Sequence, residues 1–323
     1  MLARAWNGRA MIAYILRRLA ATLPVLAFVG LFVFFLLRLA PGDPAVLLAG
    51  DQATSAQIET IRQTLGLDRP LLGQLLTWSG QIARGDLGRS VFSDMEVTRL
   101  IGMRLEPTAM LAVVAILMAL VIALPLGTLS AVRAGSGLDR AVMAFAMVGF
   151  SSPVFVIAFG LVYVFALTLG WFPTQGYVPL SQGLLPCLNS LVLPGLALAM
   201  LYAALIARIT RAALLEVLAE DYVRTAQAKG VGPERVVLRH ALKNAAIPVV
   251  TVVGVGIAAL LGGVVVTETV FNIPGLGRLT TDAILRRDYP VVQGLILLFS
   301  LVYVVVNLLV DLSYVLFDPR IRY

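Results

Sequence analysis

The stretch RTAQAKGVGPERVVLRHALKN, residues 224–244, places a basic, glycine-containing segment in the apolar second half of the chain. It holds five of the 25 Lys and Arg residues and the only His, and long apolar runs lie on both sides. Basic segments between membrane spans collect on one side of a bilayer. Its role therefore depends on which runs span the membrane and which side it faces.

The composition is that of an integral membrane protein. Of the 323 residues, 59% are hydrophobic and 13% charged, whereas a soluble domain has about 25% charged residues. The mean hydropathy is +0.92 and the pI about 9.9, a basic balance that bilayer orientation explains better than nucleic-acid binding. The single cysteine, Cys187, excludes an internal disulfide framework and a cysteine-rich metal site.

Six apolar runs reach the roughly 20 residues that a helical span needs. The first follows several Arg residues but is too long for the apolar core of a signal peptide, so it is predicted to remain as an anchor. Either Met1 or Met11 could be the first residue of the natural chain. The predicted spans are approximately 15–38, 108–132, 141–169, 190–210, 247–270 and 291–316.

Lys and Arg residues in the connections set the orientation. The connection 208–246 carries seven, the connection 133–140 two, and the N-terminal flank four. By contrast, 170–189 has no charge, and in 271–290 three Arg are offset by two Asp. We therefore predict that both termini and the segment 224–244 are cytoplasmic.

Residues 39–107 are predicted to form a small helical region on the opposite, extracytoplasmic face. TSAQIETIRQTLGL at 54–67 has a Thr/Ser start and apolar residues at helical spacing. PLLGQLLTWSGQIARGDLG at 70–88 predicts a second amphipathic helix that ends at Gly85. Both helices are expected to lie on the outer membrane surface.

The basic segment itself predicts a helical hairpin. EDYVRTAQAKG at 220–230 should form a two-turn helix ending at Gly230, since glycine most readily adopts the left-handed conformation there. Pro233 suits the start of a second helix over 233–246, predicted to have one basic and one apolar face. The apolar face should hold Val237, Leu238, Ala241, Leu242 and Ala245. From the residues alone, a hairpin that binds lipid headgroups and one that docks to a partner remain open.

The same hairpin resembles the cytoplasmic EAA loop of type I ABC importer permeases, above all the first membrane subunit of dipeptide and oligopeptide importers. Arg224-Thr225-Ala226 stands where the general pattern has Glu-Ala-Ala, a change typical of the peptide-importer branch. The resemblance extends over nearly the whole chain. It is carried by ILRRL at 15–19, PGDP at 41–44, LGLDRPL at 65–71, GDLGRS at 85–90, EDYVRTAQAKG at 220–230, HALKNAAIPVVT at 240–251, ETVFNIPGLGRL at 268–279, RRDYPVVQG at 286–294, NLLVDLSY at 307–314 and the ending DPRIRY.

The resemblance implies an all-α integral membrane protein with six transmembrane helices and the type I importer permease fold. It implies an N-terminal part over 1–107, with the anchor helix and the extracytoplasmic segment, and a transmembrane domain over 95–316. The coupling loop is expected at about 211–246. The implied location is the bacterial inner membrane, and the implied partners are a second homologous permease subunit, two ATP-binding subunits and an extracytoplasmic substrate-binding protein.

The resemblance also implies two groups of functional residues. The coupling residues, expected to contact an ATPase subunit, are Asp221, Tyr222, Arg224, Thr225, Ala226, Lys229, Gly230 and His240. The outer residues, expected to form a gate and the docking face for the binding protein, are Glu268, Pro274, Gly275, Gly277, Arg278, Asp288 and Tyr289. No catalytic or metal-binding residue is expected.

The chain lacks the residues to hydrolyse ATP itself. A phosphate-binding P-loop has the form G-x-x-x-x-G-K-[ST], and of the two lysines Lys229 is followed by Gly and Lys243 by Asn. ATP and Mg²⁺ are therefore expected on partner subunits, with no cofactor in this chain.

Two alternatives to peptide import remain at this stage. A proton-coupled permease is disfavoured because such proteins carry ionisable residues within their spans, whereas Glu268 and Asp311 are predicted near opposite interfaces. The same importer architecture also carries nickel chelates and other small solutes in relatives. Dipeptides, oligopeptides and glutathione-like peptides are not distinguished by the sequence.

Overall fold

The structure is a computed structural model and describes residues 8–39, 45–46, 54–64 and 66–317. Over these ranges the chain is helical apart from turns, loops and one isolated bridge between Arg89 and Glu96. The motifs PGDP and DPRIRY lie outside the described residues. The principal helices are α1 Gly8–Leu39, α2 Ser55–Thr64, α3 Leu71–Ala83, α4 Val97–Val132, α5 Gly137–Ser151, α6 Val154–Leu161, α7 Leu184–Leu218, α8 Asp221–Ala228, α9 Pro233–Arg235, α10 Leu242–Val270, α11 Leu276–Leu285 and α12 Tyr289–Phe317.

Four of the described helices, α1, α4, α7 and α12, are long and apolar enough to cross a membrane. Two bent pairs, α5 with α6 and α9 with α10, bring the number to six when each pair is counted as one span. The predicted six spans thus correspond to helical segments, with two corrections to their continuity. In addition, α4 begins at Val97, well before the predicted start of the second span at residue 108.

The predicted third span, 141–169, is broken near its middle. Helix α5 ends at Ser151, and α6 begins at Val154 with an axis bent by 106° from that of α5. Between them Ser152 is extended, with φ −83° and ψ 131°, because Pro153 disfavours the helical conformation of the residue before it. A π-helical segment, Val162–Thr168, continues α6. Pro153 is therefore the local cause of the break.

The second correction concerns the helix predicted over 233–246 as separate from the fifth span. In the structure α9 runs through a π-helical segment, Val236–Ala241, directly into α10, with a bend of 42°. The wider π turn changes which residues of the helix face the protein interior. Val236 is buried and Leu238 is exposed, so the prediction that Leu238 lies on the apolar face was wrong.

The chain divides into two compact units, each described by itself. The second unit, Leu105–Arg278 with Tyr303–Tyr323, is organised around α7. In the most apolar stretch of α7, 72% is buried inside the protein, whereas the corresponding stretches of α1, α4 and α12 are buried to 28% or less. Helix α7 packs against α5, α6 and α10. Small residues permit these close approaches. Buried small residues on α7 include Gly195, Ala197, Ala199, Ala203, Ala204 and Ala207.

The first unit, Met1–Arg104 with Leu279–Val302, contains the predicted extracytoplasmic helices. Thr54 caps α2, since Thr54 and Gln57 each accept the other's backbone N–H, at 2.8 and 3.4 Å. Helix α3 ends at Ala83, and Gly85 follows with φ +81°, as predicted for this helix end. The Trp78 ring packs on Phe34 of α1 with 5.6 Å between ring centroids.

Gly127 on α4 provides a test of the packing around α7. A Cβ at Gly127 would lie 2.7 Å from the Ala207 carbonyl oxygen and 2.8 Å from Thr210 Cβ, which requires the helices to separate. We expect Gly127→Ala to destabilise the protein by about 1–3 kcal/mol. Gly102→Ala on the same helix, where a Cβ meets no atom within 4 Å, should be neutral or slightly stabilising. Thermal unfolding of both variants in detergent measures the difference; equal midpoints would contradict the packing.

Candidate functional site

The first candidate is the hairpin of α8 and α9, which the sequence predicts on the cytoplasmic side. Helix α8 has one buried side chain, Val223, and exposes most of its surface. The helix is followed by Gly230 with φ +82°, and the Gly230 N–H donates to the Gln227 carbonyl at 2.9 Å. No atom lies within 4 Å of a Cβ built at Gly230. The left-handed glycine and the Pro233 helix start are both as predicted.

Apolar packing just after the hairpin and a side-chain hydrogen bond from α8 fix the base of the hairpin within the second unit. Ala241 and Ala245 are buried in a small cluster with residues at the ends of α4 and α7. The Asn244 amide donates to the Tyr222 hydroxyl at 2.6 Å, which connects α8 to the first turn of α10. The members of the cluster are Ala131, Ala213, Leu214, Ala241 and Ala245. The exposed face of α8 is thus presented on a packed base.

An ion pair at the same end of this unit was missed by the sequence reasoning. Arg211 on α7 donates to both carboxylate oxygens of Asp139 on α5, at 2.6 and 2.7 Å. The Asp139 carboxylate also accepts from the Gly135 N–H at 2.9 Å and from the Ser130 hydroxyl. The spacing of Ser136 and Asp139 signals a helix start, but only the fold brings Arg211, 72 residues away, to that carboxylate.

The second candidate, which the sequence predicts on the outer side, is built around Glu268, which is wholly buried near the end of α10. Its Oε1 accepts from the Thr108 hydroxyl at 2.6 Å and its Oε2 from the Arg278 N–H at 2.9 Å. The Thr108 hydroxyl oxygen also accepts from the Leu276 N–H at 2.8 Å. The carboxylate therefore lies at the N-terminus of α11, where backbone N–H groups favour negative charge.

The two glycines of NIPGLG are required by this arrangement. A Cβ at Gly275 would collide with the Glu268 carboxylate, and one at Gly277 would lie 2.7 Å from Val265 Cα. Both glycines are buried. The turn is therefore shaped by contact between its backbone and the end of α10.

Glu106 on α4, close to Thr108, holds the loop that contains Tyr177 and Leu180. Glu106, two residues before Thr108, accepts from the Tyr177 hydroxyl and from the Leu180 N–H, both at 2.8 Å. Burial and the hydrogen bond to Glu106 raise the pKa of Tyr177 above its ordinary value. The Gly176 N–H donates to the Phe271 carbonyl at 2.8 Å. The sequence EPT at 106–108 thus anchors both this loop and the NIPGLG turn, and no sequence motif had indicated this.

The remaining predicted outer residues occupy different settings. Asp288 belongs to the first unit, is buried, and accepts from the Ser90 hydroxyl and the Val91 N–H. Tyr289 is half-buried in the same unit, and in the second unit Pro274 and Arg278 are half-buried. The Arg278 guanidinium donates to Asn272 Oδ1.

Seven of the eight predicted coupling residues lie on one short segment, residues 221–230. Ala226 is half-buried; the exposed ones are Asp221, Tyr222, Arg224, Thr225, Lys229 and Gly230. Arg224 and Asp221 form an exposed ion pair at 3.5 Å, of a kind that contributes little to stability. The side chain of His240 lies outside the described residues.

Comparisons with known proteins agree with this architecture. Residues 123–323 match the family described as binding-protein-dependent transport system inner membrane component. Residues 11–112 match the N-terminal family of such membrane components. A probable peptide ABC transporter permease of Sinorhizobium fredii is 51% identical, covering 96% of this chain and 99% of the relative. The glutathione transport system permease GsiC of Pectobacterium atrosepticum is 45% identical, covering 97% and 100% respectively.

The fold is also found in a solved structure. An inward-facing structure of the MetNI methionine ABC transporter aligns with a TM-score of 0.57 at 20% identity, covering 68% of this chain and 96% of that chain. This likeness concerns the fold, which is all-helical and of the type I permease kind. The match over residues 123–323 covers more than half of the chain. The chain therefore belongs to the family of inner membrane components of binding-protein-dependent transport systems.

Proposed function

We propose that this chain is one of two permease subunits of an ABC importer that carries peptides. The proposal is supported by the names of relatives that align over nearly their whole length, one a peptide and another a glutathione transporter. Glutathione is itself a small peptide. We propose that a binding protein delivers the substrate and that the translocation pathway lies between this chain and a second, homologous subunit.

The observation that carries the coupling role is the exposed surface of α8 on a packed base. Val223 fixes the helix, while its other residues and Gly230 remain accessible. An exposed short helix held in this way presents a rigid surface, as docking to a partner requires. We propose that an ATPase subunit docks there, and that ATP and Mg²⁺ bind to two such subunits and not to this chain.

We further propose that the chain lies in the bacterial inner membrane with both termini cytoplasmic. The seven Lys and Arg residues between 208 and 246, against none between 170 and 189, support this orientation. It places the hairpin at the cytoplasmic face and the Glu268 turn at the outer face.

The orientation is tested by cysteine labelling in intact cells. In a Cys187→Ser background, Thr60→Cys and Gln182→Cys should react with an impermeant thiol reagent applied outside. Ala134→Cys and Gly232→Cys should react only after permeabilisation. All four positions are exposed in the chain, so differences report the side of the membrane. Labelling of Gly232→Cys in intact cells would reverse the proposed topology.

The docking surface is tested with two matched glycine variants. Gly230 and Gly135 have φ +82° and +79°, and neither has an atom within 4 Å of a Cβ position. A leucine at either site meets a similar backbone strain, roughly 1–2 kcal/mol, but only Gly230 adjoins α8. We expect Gly230→Leu to lower substrate-stimulated ATP hydrolysis and uptake tenfold or more in liposomes, and Gly135→Leu to lower them less than twofold. Equal losses would show that strain alone is responsible.

The gate role of the outer turn is tested at Glu268. In Glu268→Gln one carboxylate oxygen becomes an amide that cannot accept, leaving a buried donor unpaired at a cost of about 1–3 kcal/mol. We expect uptake to fall about tenfold while the complex still assembles, as judged by size-exclusion chromatography. Glu59→Gln, at an exposed carboxylate on α2, is the control. Normal uptake by the Glu268→Gln variant would show that Glu268 has no role in a gate.

A further inference from the structure

Two neighbouring cavities in the first unit differ sharply in the residues that line them. One, of about 640 Å³, has polar and charged side chains in its lining beside apolar ones, among them Arg69, Gln74 and Asp86. The other, of about 990 Å³, is lined almost wholly by aliphatic side chains. Both have the size of ligand-binding cavities, roughly 300–1,000 Å³. They share five lining residues: Trp78, Ile82, Leu87, Gly294 and Leu297.

Helix α3 lies between the two cavities, and its polar and apolar faces line different ones. Gln74, Thr77 and Gln81 line the polar cavity, whereas Leu75 and Leu76 line the apolar one. Leu71, Leu72 and Leu76 are also strongly exposed in the chain. A short helix with this division of side chains lies at the boundary between headgroups and acyl chains of a bilayer.

The apolar cavity lies along membrane spans. It is lined by α1 from Leu23 to Leu31 and by α12 from Gly294 to Leu301. Eight residues of helix are about 12 Å long, which fits within one leaflet of a hydrocarbon core about 30 Å thick. Gly294 is five residues from the start of α12, the end that the proposed orientation places outside. The ligand that such a groove favours is an alkyl chain of the outer leaflet.

The polar cavity carries balanced charge. Arg69 and Arg89 line it together with Asp86 and Asp94, and Arg89 pairs with Asp94 at 3.1 Å. Arg side chains suit phosphate oxygens, and carboxylates suit an ammonium group. Two cationic and two anionic groups match a zwitterionic headgroup better than a net anionic one.

We propose that the two cavities form one binding site for a zwitterionic phospholipid of the phosphatidylethanolamine type. The headgroup lies in the polar cavity beside Arg69, and an acyl chain lies in the apolar groove between α1, α3 and α12. The lipid fills space that these helices leave open and holds α1 to α3. The proposed orientation determines only the leaflet, so the site itself stands without it.

Glycines on α1 and α3 provide matched variants. Gly30 lines the apolar cavity and Gly80 lines neither, while a Cβ at either meets no atom within 4 Å. Gly30→Leu should fill the groove without a clash, and Gly80→Leu is the control. Native mass spectrometry of the assembled complex should show one phosphatidylethanolamine fewer bound in Gly30→Leu than in Gly80→Leu. Equal lipid counts would overturn the proposal.

Fluorescence of Trp78 locates the lipid independently. In the full-length chain with Trp6→Phe and Trp171→Phe, phosphatidylethanolamine with brominated acyl chains, added in detergent, should quench Trp78 saturably near one lipid per chain. Arg69→Gln and Gly30→Leu should each raise the half-saturating concentration at least tenfold. Quenching that rises without saturation, or absence of quenching, would overturn the site. Equal quenching by brominated phosphatidylglycerol would overturn the zwitterionic headgroup.

Discussion

The second unit depends on the close approach of other helices to α7. Lipid tails are as apolar as leucine side chains, so membrane helices gain little from hydrophobic burial and associate through tight packing of small residues. Helix α7 supplies those residues, and Gly127 on α4 lies against Ala207 and Thr210 without room for a methyl group. The cluster of Ala131, Ala213, Leu214, Ala241 and Ala245, the Asp139–Arg211 ion pair and the base of the hairpin are all positioned through this helix.

Local rules predicted much of the fold. Hydropathy located the long helices, Thr54 marked the start of α2, and Gly230 marked the turn after α8. The interruptions were not predicted: the break at Pro153 was signalled by the residue pair Ser152-Pro153, which an averaged apolar pattern conceals. The π segment at 236–241 leaves no such signal. It adds a residue to one turn, and the buried face therefore moved from Leu238 to Val236.

The sequence predicted which segments form the candidate sites. It did not predict the side-chain contacts within them. Motif resemblance indicated the hairpin and the NIPGLG turn, but long-range partners depend on three-dimensional proximity. Thr108 is 160 residues from Glu268, and Asp139 is 72 residues from Arg211. Glu268 is completely buried, so any role in a gate is exerted through the shape of the turn.

Helix α10 carries the hairpin at one end and Glu268 near the other. Its 29 residues extend about 43 Å, and the π segment joins it to α9 without an intervening loop. In a straight helix of this length, a tilt of about 5° displaces one end by roughly 4 Å relative to the other. If docking of the proposed ATPase subunit tilts α10, the movement of the hairpin and that of the Glu268 turn are linked through one helix.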